Sequence, residues 1–142
     1  MRAVVLASVM LCVTLNVAAR ADDSPADQAS QTAIQGVISQ QLQAFRSGDG
    51  STAESFASPG IRDKFPDPAG FMAMVRQAYG ALVNPKSTRF GELTKTELGL
   101  VQKMTVVDAK GAVWTVAYTM TQVDGEWRIS GCFVLKSDAV DA

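Results

Sequence analysis

The side chains able to do chemistry in this chain are few: the thiol of Cys132, the carboxylates Glu54, Asp63, Asp67 and Glu92, and the phenols Tyr79 and Tyr118. A carboxylate buried beside a substrate acts as a general base, and paired with Tyr118 it would make a small cofactor-free acid-base isomerase or lyase. Three of the four have a plainer use. Asp67 precedes Pro68 as a helix cap, Glu54 falls in the first turn of a short helix near its positive end, and Asp63 sits between Arg62 and Lys64 as a surface charge. No pair has catalytic spacing. An activated thiol needs a base or cation beside it, and the predicted neighbours of Cys132 (Thr115, Thr119, Ser130) supply neither. Cys132 reads as a small packing residue, with an intermolecular disulfide or redox-sensitive thiol as the alternative.

The chain holds no histidine, which removes Ser-His-Asp and Cys-His nucleophile pairs and His-ligated metals. No acidic run matches a calcium loop, and Gly48-Asp49-Gly50 follows a helix instead of opening one after a strand, so it is no phosphate cradle. Neither a metal nor a cofactor is expected.

Met1-Arg2, the apolar run Ala3 to Val17 and the small residues of Ala19-Arg20-Ala21 have the layout of a secretory signal cleaved near Ala21. The run is shorter than the ~20 residues of a spanning helix. Cys12 lies too early in it, without the small residues that precede a lipidated cysteine. The expectation is a periplasmic or secreted protein, with 1–21 removed and 22–142 forming one domain. Loss of Arg2 and Arg20 leaves 11 basic against 14 acidic side chains, about −3 net. The cations are scattered, so nucleic acid is not an expected partner. Only Cys132 remains after cleavage, and stability must come from packing rather than disulfides.

The elements that position these groups follow from periodicity. Ile34, Val37, Ile38, Leu42 and Phe45 form one stripe of a helix over 25–47, stopped by Gly48. A short helix is predicted over 51–57 and a turn over 61–65. Asp67-Pro68 then opens a helix with the stripe Phe71, Met74, Val75, Ala78 and Tyr79. From Ser87 the pattern becomes β-branched and alternating, with an outer strand over 87–96. Asp108-Ala109-Lys110-Gly111 fits a type I turn with a glycine bulge, and Asp124-Gly125 a type I′ hairpin.

Counting back from Asp124-Gly125 pairs Trp114 with Leu135, Val116 with Phe133, Tyr118 with Gly131, Met120 with Ile129 and Gln122 with Trp127 on a core face. Trp114, Tyr118, Trp127 and Phe133, with Tyr79 from the helices, are the candidate lining of a pocket for a small apolar ligand. Thr115, Ala117, Thr119, Ser130 and Cys132 fall on the other, half-polar face, the candidate surface for a homodimer. The predicted fold is α+β, N-terminal helices packed on a curved antiparallel sheet of about four strands.

Ile34 to Arg46, Phe56-Ala57-Ser58-Pro59-Gly60-Ile61-Arg62, Phe71 to Val75 and Trp127-Arg128-Ile129-Ser130-Gly131-Cys132 together resemble the uncharacterised bacterial family called domain of unknown function 4864. Helices followed by strands ending in Gly-x-Trp-Arg-Ile also resemble the nuclear transport factor 2-like cone fold, or its cystatin-like relative. The resemblance covers nearly the whole mature chain and implies a proteobacterial envelope protein, with no functional residues to carry over. The expectation is a noncatalytic binding or interaction module for a small apolar ligand or protein partner, the acid-base isomerase or lyase being the alternative.

Overall fold

A computed structural model describes residues 25–137; the expected signal segment lies outside the described residues. Four helices come first: α1 Pro25–Ser47, α2 Gly50–Ser55, α3 Pro59–Lys64 and α4 Pro68–Ala78, with a 3-10 turn at Gly80–Leu82. A meander β1 Ser87–Thr96, β2 Gly99–Val107, β3 Val113–Val123 and β4 Glu126–Lys136 completes an antiparallel sheet in sequence order. The architecture is the expected α+β one, helices on a curved four-stranded sheet. No helix among the described residues is long and apolar enough to cross a membrane.

Helix α1 buries Ile34, Ile38 and Phe45 against the sheet, and Gln41, at the same spacing, is buried with them. Its amide escapes an unpaired burial by donating from Nε2 to the Ala53 carbonyl at 3.0 Å. The helix ends in a Schellman motif: Gly48 takes φ 72°, its N–H meets the Phe45 carbonyl, and Asp49 N–H reaches Ala44 at 2.9 Å. Asp49 then caps α2, accepting the Thr52 N–H at 3.1 Å and the Thr52 hydroxyl at 2.7 Å, bonds that hold its carboxyl below the ordinary range. The short helix therefore starts and stops earlier than 51–57, which puts Glu54 in its last turn, buried, rather than near its positive end. Asp67 does precede α4, yet its side chain makes no capping bond; only its carbonyl is used, by Phe71 N–H at 2.9 Å.

Both predicted tight turns are present. Asp124 and Gly125 take φ of 53° and 81°, the left-handed pair of a type I′ hairpin. Gly111 closes the other turn with φ 88° and an N–H bond to the Asp108 carbonyl at 3.0 Å. Asp108 further organises that turn by accepting from Lys110 N–H, Ala112 N–H and the Trp114 indole, each at 2.9 Å.

The predicted register holds only for the first part of β4. Gln122 pairs with Trp127 and Met120 with Ile129, but Thr119 pairs with Gly131, leaving Ser130 as an extra residue in a β-bulge. Beyond it every side chain changes face. Tyr118 is now opposite Cys132 and Val116 opposite Val134, while Phe133 pairs with Ala117 and Leu135 with Thr115. Phe133 and Leu135, expected in the core, are 58% and 70% exposed. Cys132 and Val134, expected outside, pack against the core. Gly131 leaves no room for a side chain: a Cβ there would lie 2.6 Å from the Thr119 hydroxyl oxygen.

A second bulge interrupts β1 between Phe90 and Leu93. The fully buried Gln102 answers it, donating from Nε2 to the Gly91 carbonyl at 2.9 Å and to the Lys103 carbonyl at 2.8 Å.

Candidate functional site

A cleft of about 380 Å³ opens between α1, α3, α4 and the bulged part of β4. One wall is a run of three rings: Phe71 stands 6.4 Å centroid to centroid from Phe45 and 6.5 Å from Phe65. Ile61, Met74 and Val75 continue it. The stripe of α4 is thus shared, with Phe71 and Val75 also serving the core. The opposite side is Tyr118 on β3 with residues 129–133 of β4.

The bulge makes that side possible. Ile129 turns both backbone groups away from β3, donating its N–H to the Phe56 carbonyl and accepting from Ser58 N–H, both at 2.8 Å. This parallel bridge to Ala57 fastens the segment between α2 and α3 to the edge strand. The Tyr79 hydroxyl donates to the Cys132 carbonyl at 3.3 Å, tying the end of α4 to the same strand. Ser130 points back, its hydroxyl 3.0 Å from that of Thr119.

The titratable groups lining the cleft are Lys64, Tyr79, Tyr118 and Cys132; no carboxylate lines it among the described residues. Burial pushes the Cys132 thiol up to about 12, and it is a neutral S–H at physiological pH. Burial first, and the neighbouring Cys132 second, raise Tyr79 above its ordinary value and Tyr118 well above it. Tyr118 is 1% exposed, and its hydroxyl is the buried side-chain oxygen or nitrogen that lacks a hydrogen-bond partner among the described residues. Such an orphan costs about 1–3 kcal/mol.

Of the five predicted lining residues, the structure brings Tyr79, Tyr118 and Phe133 to the cleft, Phe133 as an exposed rim residue on the strand edge. Trp114 does not reach it; its indole is held by Asp108 toward the start of β3. Trp127 packs partly against the core near the β3–β4 hairpin and also stays outside. Of the predicted interface set, Thr115 and Ala117 stay on the outer sheet face, Thr119 is buried there, and Ser130 is exposed at the bulge. Cys132 leaves that face for the cleft because of the inserted residue. None of Glu54, Asp63, Asp67 and Glu92 lines the cleft. Gln41, Ile61, Lys64 and Phe65 are lining residues that sequence reasoning passed over. The signal for Gln41 was its place on the α1 stripe. No group of three metal-ligating side chains occurs among the described residues.

Two phenols, the Ser130 hydroxyl, a protonated thiol, apolar walls and one rim ammonium can hold a molecule and orient a polar atom. They offer no base to take a proton from it.

Two solved structures are similar in shape. One is Aln2 from a Streptomyces species, at TM-score 0.48 and 17% identity, covering 80% of this chain and 92% of that one. The other is an NTF2-like protein of unknown function from Shewanella baltica, at TM-score 0.47 and 11% identity, covering 78% of this chain and 97% of that one. No curated protein matches the chain. The family model described as Domain of unknown function (DUF4864) matches residues 27–142, nearly everything after the expected signal, and the chain belongs to that family.

Proposed function

We propose that the chain is an exported, noncatalytic binding domain whose cleft takes a small, largely apolar molecule. The observation that carries this reading is the Tyr118 hydroxyl, buried with no hydrogen-bond partner among the described residues, on a residue that lines an apolar cleft of about 380 Å³. That volume falls within the range of small-molecule sites, and mostly apolar walls with few polar groups are their usual composition. A ligand that brings an acceptor to the phenol offsets a penalty the protein otherwise carries. The lining favours binding over acid-base catalysis, because the proton-abstracting alternative needs a carboxylate that no lining residue provides. The test is native mass spectrometry of the mature protein from its own host, first gentle, then denaturing. Expected is an extra mass that leaves on denaturation and that is missing from an Ala78→Trp variant, in which the indole fills the rim. Bare wild-type protein in every preparation overturns the reading.

A second reading is favoured by a separate observation. Phe133 and Leu135 stand 58% and 70% exposed beside Ala117 and Thr115 on the outer sheet face. Paired large apolar side chains on an exposed sheet face suit self-association. Sedimentation of the wild type should show a dimer, and Leu135→Glu a monomer. A wild type that is monomeric throughout the micromolar range removes this surface from consideration.

A further inference from the structure

We infer that the ligand of the cleft is an amphiphilic monoanion: an apolar chain or ring body within the walls and one carboxylate-type head against Lys64. This deepens the binding reading above and rests on it.

Lys64, the last residue of α3, is the charged residue among those lining the cleft, and it is exposed. The ion pair among the described residues joins Arg128 to Glu126, so the ammonium of Lys64 has no acid engaged there. Asp63 and Asp67, its nearest acids in sequence, do not line the cleft. Deeper in, Tyr79, Tyr118 and Cys132 have their pKa values raised and stay neutral. A charge carried to that depth would be buried without a counter-ion, which is strongly unfavourable. One anionic group at the rim and an uncharged, largely apolar remainder that carries a neutral acceptor to the Tyr118 hydroxyl satisfy both ends. A cationic head would face Lys64 with like charge, and an uncharged alcohol gains a hydrogen bond from it but no charge–charge attraction. The space of about 380 Å³ matches roughly a dozen non-hydrogen atoms, each taken as the ~30 Å³ of a water molecule, the size of a ten-carbon carboxylate.

The test is calorimetric titration of the mature protein with decanoate, decan-1-ol and decyltrimethylammonium at low and high salt. Expected is decanoate above decanol above the ammonium compound. Octanoate should bind about 15-fold more weakly than decanoate, at about fourfold per methylene. Lys64→Gln, an exposed substitution at a helix end, should lower decanoate affinity about two- to fivefold, the scale of an exposed ion pair. It should leave decanol unchanged, and salt at about 0.5 M should mimic it. Decanol binding as tightly as decanoate, or decanoate binding unaffected by Lys64→Gln, overturns the anionic head while the apolar cleft stands. Failure of all three probes to bind, with Ala78→Trp indistinguishable from wild type, overturns the cleft reading and this inference together.

Discussion

Tyr118→Phe separates stability from binding with a deletion of one oxygen atom. The ring stays, so the packing of a side chain that is 1% exposed is kept. What disappears is a buried hydroxyl with no partner among the described residues. An unmade hydrogen bond of this kind costs about 1–3 kcal/mol, and the small void left by the oxygen takes back part of it. The ligand-free variant should therefore be more stable than wild type by about 1–2 kcal/mol. For a chain of this size that is roughly 3–6 °C in Tm per kcal/mol. Tyr79→Phe is the matched control, because it breaks an existing bond to the Cys132 carbonyl and should lower stability by about 0.5–1 kcal/mol. Opposite signs from the same chemical edit, read as urea midpoints at pH 7 on delipidated protein, test the assignment. Destabilisation of Tyr118→Phe by more than about 0.5 kcal/mol would refute it, since the hydroxyl would then be bonded in the folded protein. In the presence of ligand the order should reverse, the variant gaining less Tm than wild type at equal concentration.

Two further outcomes follow from the bulge and its thiol. Gly131→Ala places a methyl group 2.6 Å from the Thr119 oxygen and should cost about 1–3 kcal/mol; in the Gly131→Ala, Thr119→Ala double variant the loss should be clearly less than the sum of the single losses in chemical denaturation. The Cys132 pKa is raised in the folded state to about 12, above the roughly 8.5 of an unfolded thiol. Above about pH 8.5 the unfolded chain gives up the proton that the folded chain keeps, and the stability present below that value is lost as pH rises toward 12. Urea midpoints of the wild type should fall from about pH 8.5 upward, and those of Cys132→Ala should stay flatter until the tyrosines titrate. Equal slopes in the two proteins would mean that the thiol is not shielded.

What was legible in the sequence depended on the range of each signal. The α1 stripe, the Gly48 stop and the two glycine turns are read within a few residues, and the helices and strands match them closely. The register failed past Ile129 because counting back from a hairpin assumes an uninterrupted ladder. The one local hint was a glycine in mid-strand, which marks bulges and close backbone approach. The α1 stripe places Gln41 inside, but a lone polar residue there reads as surface until Ala53 is seen to accept from it. Lys64 lines the cleft because α3 is fastened beside β4 through the Ala57–Ile129 bridge, a tertiary contact that no spacing within 59–64 encodes. Trp114 does pack partly against the core on the face its period assigns, but it lies outside the cleft, its indole donating to the Asp108 carboxylate six residues back.

One inserted residue links the two surfaces that matter. Were Ser130 paired into the ladder opposite Thr119, Phe133 would face inward opposite Val116 and Cys132 outward opposite Ala117, closing the β4 side of the cleft with a bulky ring and leaving smaller side chains on the outer face. With Ser130 bulged out instead, the small Cys132 and Gly131 border the cleft, and Phe133 and Leu135 are displaced onto the outside. The cleft and the exposed apolar patch are therefore consequences of the same bulge. Deleting Ser130 alone keeps every pairing beyond it, whereas deleting Ser130 and Gly131 together should run the ladder straight from Ile129, put Cys132 outside opposite Thr119 and Phe133 inside opposite Tyr118, and remove both at once. Loss of ligand mass together with loss of the dimer, in a variant that keeps wild-type far-UV circular dichroism, is the expected result. Retention of either property in such a folded variant would separate two features that this geometry joins.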